Sequence, residues 1–272
     1  ARLGEITTSG YSLVDIPAPR QKLIHGYPDP DELGRVYRPS LAVAASAGSV
    51  VQQLAAAAQS GVSSNKEWLA SARADYEASK VPQETPGALK MEDVVAHLDE
   101  VLPENAIVTN GAGNYSVWMH RYFTHKVWRT QLGPTSGSMG YGLPASVAAK
   151  LRYPERDVIC LAGDGCFQMS MQEFGTAAQY GANIFVLVSN NGMYGTIRMH
   201  QERHYPGRVS GTDMVNPDFA DLARSYGGHG ETVESGDQFA DALARARAAG
   251  KPAILDLKVS PEALTPRQRL TV

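Results

Sequence analysis

Two short apolar runs, Val158-Ile159-Cys160-Leu161-Ala162 and Ile184-Phe185-Val186-Leu187-Val188, flank a helical pattern over Met169–Tyr180 and end in turn residues: Gly163-Asp164-Gly165 after the first and Asn190-Asn191-Gly192 after the second. Each run is too short and too β-branched for anything but a buried strand. Strand, helix and strand in so short a stretch predict one right-handed βαβ unit, which brings the carboxyl ends of both strands to one edge of a parallel sheet. Asp164 and Asn191 then become neighbours in space. A hard divalent cation prefers oxygen ligands, and the two side chains with a loop carbonyl supply three, leaving other positions to phosphate oxygens and water. Gly163, Gly165 and Gly192 let backbone approach phosphates closely, and N–H groups opening a following helix favour an anion. Either turn alone reads as an ordinary strand-end turn. Together in one βαβ unit they point to an anion held with a cation.

The spacing of Gly163-Asp164-Gly165 and Asn190-Asn191, with Cys166 to Ser189 between, resembles the thiamine diphosphate motif. The run from Gly163 to Glu173 is similar to its form in the acetolactate synthase-like and 2-oxo acid decarboxylase enzymes. Gly137-Ser138-Met139-Gly140-Tyr141-Gly142-Leu143-Pro144-Ala145 resembles the segment that holds the aminopyrimidine there, and Asn110-Gly111-Ala112-Gly113-Asn114 a second loop touching the diphosphate. The likeness covers nearly the whole chain and is most specific from Ile107 to Gly195.

The resemblance implies roles residue by residue. Asp164 and Asn191 would hold Mg²⁺ through side chains and Met193 through its carbonyl. Gly113, Asn114, Gly163, Gly165, Cys166, Gly192, Met193 and Tyr194 would surround the diphosphate. Met139 would wedge the cofactor into a bent shape, and the Gly137 carbonyl would accept a hydrogen bond from its amino group. The substrate implied is a 2-oxo acid, decarboxylated and then protonated or joined to a second carbonyl compound. The glutamate that protonates the pyrimidine in this family belongs to an N-terminal pyrimidine-binding domain, often on another chain. The expectation is therefore a homodimer or homotetramer with shared sites, and a chain inactive by itself.

Element order predicts an α/β fold: a doubly wound parallel sheet preceded by part of a central α/β domain. Residues 1–60 read as the C-terminal part of that central domain, with strands at Leu23–His25 and Leu41–Ala45 and a helix at Ala47–Ala58. The opening at Ala1 resembles the middle of the family's central domain, which implies that the rest lies outside this sequence. Residues 61–87 read as a linker with a loop at Gly61–Asn65 and a polar helix at Lys66–Ser79, and residues 88–272 as the diphosphate- and Mg²⁺-binding domain. Within the latter, helices are expected at Glu92–Val101, Tyr141–Leu151, Pro217–Tyr226 and Asp237–Ala249, and further strands at Ala106–Thr109 and Ala253–Val259.

Scattered basic residues and a net charge of −3 give no reason to expect nucleic acid or an anionic membrane as partner, and no run is long and apolar enough to span a bilayer. Two cysteines exclude a disulfide framework and point to a reducing cytoplasm. On the substrate side the chain departs from acetolactate synthases: Thr196 stands where they tend to have methionine and His200 where they have tryptophan, so the 2-oxo acid and its acceptor stay open. Arg198 reads first as a solvated helix charge. His200 and His204 sit four apart without the rest of a zinc pattern. His120 and His125 read as surface or interface residues. A non-catalytic phosphate- or nucleotide-binding module remains the alternative.

Overall fold

The computed structural model describes residues 2–58 and 65–270; the expected loop lies outside them from Gly61 to Ser64. Two compact units are present, Ala1–Ser71 and Ala72–Val272, and the division falls inside a helix. In the first unit, β1 (Ile24–Tyr27) pairs in parallel with β2 (Leu41–Ala44) from Ile24↔Leu41 to Tyr27↔Ala44. Helix α1 (Ala47–Ala57) follows, its first turn closed by Ser46 Oγ, which accepts from Ser49 N–H at 3.2 Å. Val51 and Leu54 on α1 stay exposed. Helix α2 (Lys66–Lys80) carries the division and starts where Asn65 Oδ1 accepts from Trp68 N–H.

The second unit runs α3 (Met91–Val101), β3 (Ile107–Asn110), α4 (Ser116–Tyr122), β4 (Gln131–Leu132), α5 (Gly142–Arg152), β5 (Val158–Gly163), α6 (Asp164–Gln168), α7 (Glu173–Tyr180), β6 (Phe185–Asn190), α8 (Gly195–His204), α9 (Phe219–Ser225), β7 (His229–Val233), α10 (Gly236–Ala248) and β8 (Ala253–Lys258), closing with a small antiparallel pair, β9 (Ala263–Thr265) and β10 (Gln268–Arg269). Six strands form one parallel sheet in the order β4-β3-β5-β6-β8-β7.

Alternation along the central strands divides the core in two, as a sheet covered on both faces requires. Ile159, Leu161, Phe185, Leu187 and Leu255 point to the side of α3, α4 and α10, where Leu98, Trp118, Met119, Phe239 and Leu243 pack. Val158, Cys160, Val186, Val188 and Ile254 point to the other side, against Leu143 and Val147 of α5, Phe174 of α7 and Phe219 of α9. This is the doubly wound arrangement.

Of the expected helix over Met169–Tyr180 only Glu173–Tyr180 is helical, and a separate short helix precedes it. The short one begins at Asp164 itself, and the chain breaks over 169–172, where Ser170 Oγ leaves the helix to donate to the Gly140 carbonyl at 2.7 Å. Helix α4 and strands β4 and β7 were not expected. Strand β7 reads His-Gly-Glu-Thr-Val at a sheet edge and owes its place to Gly230, where any Cβ would lie 2.1 Å from the Ala220 carbonyl oxygen.

Cys160 lies at the centre of β5 with no exposed surface, and burial pushes its thiol up to about 12. Only about one part in ten thousand is thiolate at pH 8, and the thiolate is the nucleophile. Iodoacetamide at that pH is expected to leave Cys160 unmodified in the folded protein and to label it fully in denaturant, as read by peptide mass spectrometry. Equal labelling in both states would contradict this core.

Candidate functional site

The connection from β3 runs outward to β4, while that from β5 runs the opposite way to β6. The carboxyl ends of β3 and β5 therefore open a crevice at the sheet's topological switch point, the usual place for a ligand in such sheets. The two loops there almost touch. A Cβ on Gly111 would lie 2.3 Å from Cys166 Sγ, so the bare backbone is what lets them close. Tyr115 Oη donates to the same sulfur at 3.1 Å and the Gly140 N–H at 3.2 Å, which draws in the segment that carries Met139. Burial, reinforced by Cys166, keeps the Tyr115 phenol protonated well above its ordinary range.

Asp164 is the charged centre of the crevice and is 3% exposed. Burial pushes its carboxyl above the usual carboxylate range, opposed chiefly by hydrogen bonds from Asn216 and from the Gly165 and Gly192 backbone. Its Oδ1 accepts from Gly165 N–H and its Oδ2 from Gly192 N–H, both at 2.8 Å. The second bond joins the two turns that the sequence placed together. Gly192 supplies it with a left-handed φ of 68°, a conformation that costs glycine little.

Asn191 folds over its own turn, Oδ1 accepting from Met193 N–H at 3.2 Å, and the Met193 carbonyl accepts from Gly195 N–H at 2.9 Å. Both oxygens retain a second lone pair. Residues 212–214 then pair back on this turn: Tyr194 N–H donates to the Thr212 carbonyl and Met214 N–H to the Gly192 carbonyl, each at 2.8 Å. A buried carboxylate, an amide oxygen and a peptide carbonyl at one strand edge make the oxygen-rich donor set that suits Mg²⁺. Among the described residues no trio of His, Cys, Asp or Glu gathers to hold a metal, so further ligands would come from an anion and water.

Beside Asp164 lies a cleft of about 90 Å³. Gly113, Asn114, Met139, Cys166 and Tyr194 line it, together with Gly163, Gly165, Asn191 and Met193 at the strand ends. Sites that bury a drug-sized ligand hold roughly 300–1,000 Å³. The cleft thus has room for a small group only, and Met139, 38% exposed, stands over it. Gly137 is separated from this group and opens instead on a wider cavity across the Asn110–Gly113 loop, shared with His120 and Thr135.

Four residues that the motifs did not mark as site residues complete the region. Thr196 accepts from Asn114 N–H at 3.1 Å and donates to Asn114 Oδ1 at 3.0 Å, tying the first turn of α8 to the loop after β3. Tyr115 bridges to Cys166, and Asn216, oriented by Gln168, reaches Asp164 from the chain before α9. Spacing carried no signal for Asn216, since Asn-Pro reads simply as a helix start. Arg198 pairs with Glu202 at 2.9 Å along α8, which satisfies its charge within the helix. The His200 and His204 rings stack with centroids 6.2 Å apart, and both side chains are exposed. His120 Nε2 meets Asn110 Oδ1 at 3.2 Å, and burial of its ring lowers its proton affinity.

The chain matches the family described as thiamine pyrophosphate enzyme, C-terminal TPP binding domain, over residues 111–257. It is 33% identical over 264 residues to an acetolactate synthase of Mycobacterium leprae, covering 92% of this chain and 42% of that protein. An acetolactate synthase large subunit of Parasynechococcus marenigrum is 32% identical, over 90% of this chain and 40% of that one. Among solved structures, the thiamine diphosphate-dependent 4-hydroxybenzoylformate decarboxylase of Rhodococcus jostii RHA1 superposes with a TM-score of 0.71 at 27% identity, covering 88% of this chain and 44% of its own. The chain thus spans less than half the length of these relatives. No helix among the described residues is long and apolar enough to cross a membrane.

Proposed function

The chain belongs to the thiamine pyrophosphate enzymes through their C-terminal TPP binding domain, and from that premise we propose that it holds the diphosphate and Mg²⁺ of an enzyme that decarboxylates a 2-oxo acid and passes the product to a proton or to a second carbonyl compound. The observation that carries the reading is the bond from Gly192 N–H to Asp164 Oδ2, which joins the two motif turns around one buried carboxylate. Asp164, Asn191 Oδ1 and the Met193 carbonyl are the Mg²⁺ ligands. The cleft N–H groups would receive the diphosphate, while Gly113, Gly163 and Gly165 make room for the Tyr115 and Tyr194 rings that pack against them.

When bound, the cofactor supplies the carbanion-stabilising centre that a 2-oxo acid needs to lose CO₂. The protein's own residues orient and enclose it. Met139, unbranched and partly exposed at the cleft, would prop the bound group, whose amino end would have to extend to the neighbouring cavity to meet the Gly137 carbonyl. Thr196 and Ile197 of α8 wall the substrate side, where the Thr196 hydroxyl is bonded to Asn114. The acid–base glutamate of this family belongs to a pyrimidine-binding domain, which a second copy in a homodimer or homotetramer would bring to this site. Two free, buried cysteines support a reducing, cytoplasmic setting.

A thermal-shift panel tests the reading. Ligand at a hundred times its Kd stabilises by about 2.7 kcal/mol. For a domain of this size that is a rise of roughly 5–10 °C. Thiamine diphosphate with Mg²⁺ is expected to give it, and NAD or ATP is not; stabilisation by NAD or ATP alone would end the proposal. CO₂ release by the full-length enzyme from pyruvate and benzoylformates then identifies the 2-oxo acid.

A further inference from the structure

The side chain of Asn216 uses both of its amide donors and one lone pair of its oxygen. Its amide nitrogen donates to Asp164 Oδ2 and to Asn190 Oδ1, each at 2.8 Å, and its oxygen accepts from Gln168 Nε2 at 2.9 Å. Turning the amide over would set its oxygen against two acceptors, so these partners fix which end faces Asp164. The arrangement is anchored to the sheet: Asn190 ends β6 and donates to Asp256 Oδ1 at 2.9 Å, and Asp256, buried in β8, has Lys258 Nζ 2.6 Å from its other oxygen.

The consequence falls on Asp164. Its Oδ2 accepts from both Gly192 N–H and Asn216, which uses the two lone pairs of a carboxylate oxygen. Its Oδ1 accepts from Gly165 N–H and keeps a lone pair for a cation. We infer that Asn216 is a positioning residue that makes Asp164 a one-oxygen ligand and thereby biases the site toward Mg²⁺ over Ca²⁺. The inference rests on the reading of Asp164 as a cation ligand. Mg²⁺ requires near-octahedral geometry with single oxygens at about 2.0–2.1 Å, whereas Ca²⁺ takes more ligands at about 2.3–2.6 Å and readily accepts both oxygens of one carboxylate. Occupying Oδ2 with two donors removes the binding mode that serves Ca²⁺.

The test is calorimetric titration of Mg²⁺ and of Ca²⁺ into the protein with saturating thiamine diphosphate, for the wild type, Asn216→Ala, Gln168→Ala and Asp164→Ala, with melting curves to show that each is folded. Partners behind a metal ligand are typically worth about 10–100-fold in metal affinity. Asn216→Ala is expected to weaken Mg²⁺ within that range and Ca²⁺ distinctly less, so that the Mg²⁺/Ca²⁺ affinity ratio falls roughly tenfold. Gln168→Ala, which leaves every direct partner of Asp164 in place, shifts the ratio the same way by less. An unchanged ratio in folded Asn216→Ala, with or without an equal loss for both ions, overturns the inference while loss of binding in Asp164→Ala keeps the site. Unchanged binding in Asp164→Ala overturns the site itself.

Discussion

Asp164→Asn is expected to lower Mg²⁺-dependent binding of thiamine diphosphate by at least about a hundredfold while leaving the ligand-free protein close to wild-type stability. The pairing of these outcomes distinguishes a ligand from a structural carboxylate. A unit charge pair at 4 Å with an effective dielectric near 20 is worth about 4 kcal/mol, or roughly a thousandfold, and dehydration of the ion offsets part of it. Without a cation the same charge is a burden, since burial holds the Asp164 carboxyl above its normal range. Asparagine removes that charge and keeps an oxygen for Gly192 and Asn216 while turning its NH₂ toward Gly165 N–H, so the desolvation relieved offsets the one bond lost. Asp164→Ala is the harsher variant: it strands those donors, and each buried unsatisfied group costs about 1–3 kcal/mol. Calorimetry gives the affinity and thermal melting the stability. Full cofactor affinity in Asp164→Asn would show that the carboxylate holds the turn and not the ion.

The centre of this site was legible because its constraint is local to one βαβ unit. Val158–Gly163 and Phe185–Asn190 are strands that the apolar runs specify by themselves, and their parallel pairing then forces Asp164 and Asn191 to one edge. What the sequence did not reveal depends on contacts that no period encodes. Ser170 breaks the helix for the sake of a carbonyl in a distant loop, and α4 is too short and too mixed for an amphipathic signal. Asn216 matters only because residues 212–214 pair back on the Asn-Asn-Gly turn, and nothing in Met-Val-Asn-Pro announces that pairing. Gly137 and Met139 share a loop, yet the two line different cavities, a separation that their spacing in the sequence does not encode.

Glu92→Ala is expected to destabilise the second unit by about 3–5 kcal/mol. The sequence offers Glu92 as an ordinary acid in the first turn of a helix. The structure leaves it 2% exposed and surrounds it with donors: Thr85 N–H at 2.6 Å, the Thr85 hydroxyl at 2.9 Å from each carboxylate oxygen, and Trp118 Nε1 at 3.0 Å. Its position in the first turn of α3 adds the favourable end of the helix dipole to these donors. Alanine strands all of these donors in a dry interior. Glutamine keeps the volume but turns an NH₂ toward one of them, so about half the loss should remain. The effect reaches the site, because Trp118 belongs to α4, which follows the Gly113–Tyr115 wall of the cleft. Cofactor affinity in a folded Glu92→Gln protein should therefore fall several-fold, where a merely peripheral acid would leave it unchanged. A double-mutant cycle with Thr85→Val, measured by denaturant unfolding, isolates the shared bonds: the two losses must fall short of adding by more than about 1 kcal/mol. Strict additivity would mean that Thr85 and Glu92 stabilise the fold independently and that the network does not exist in solution.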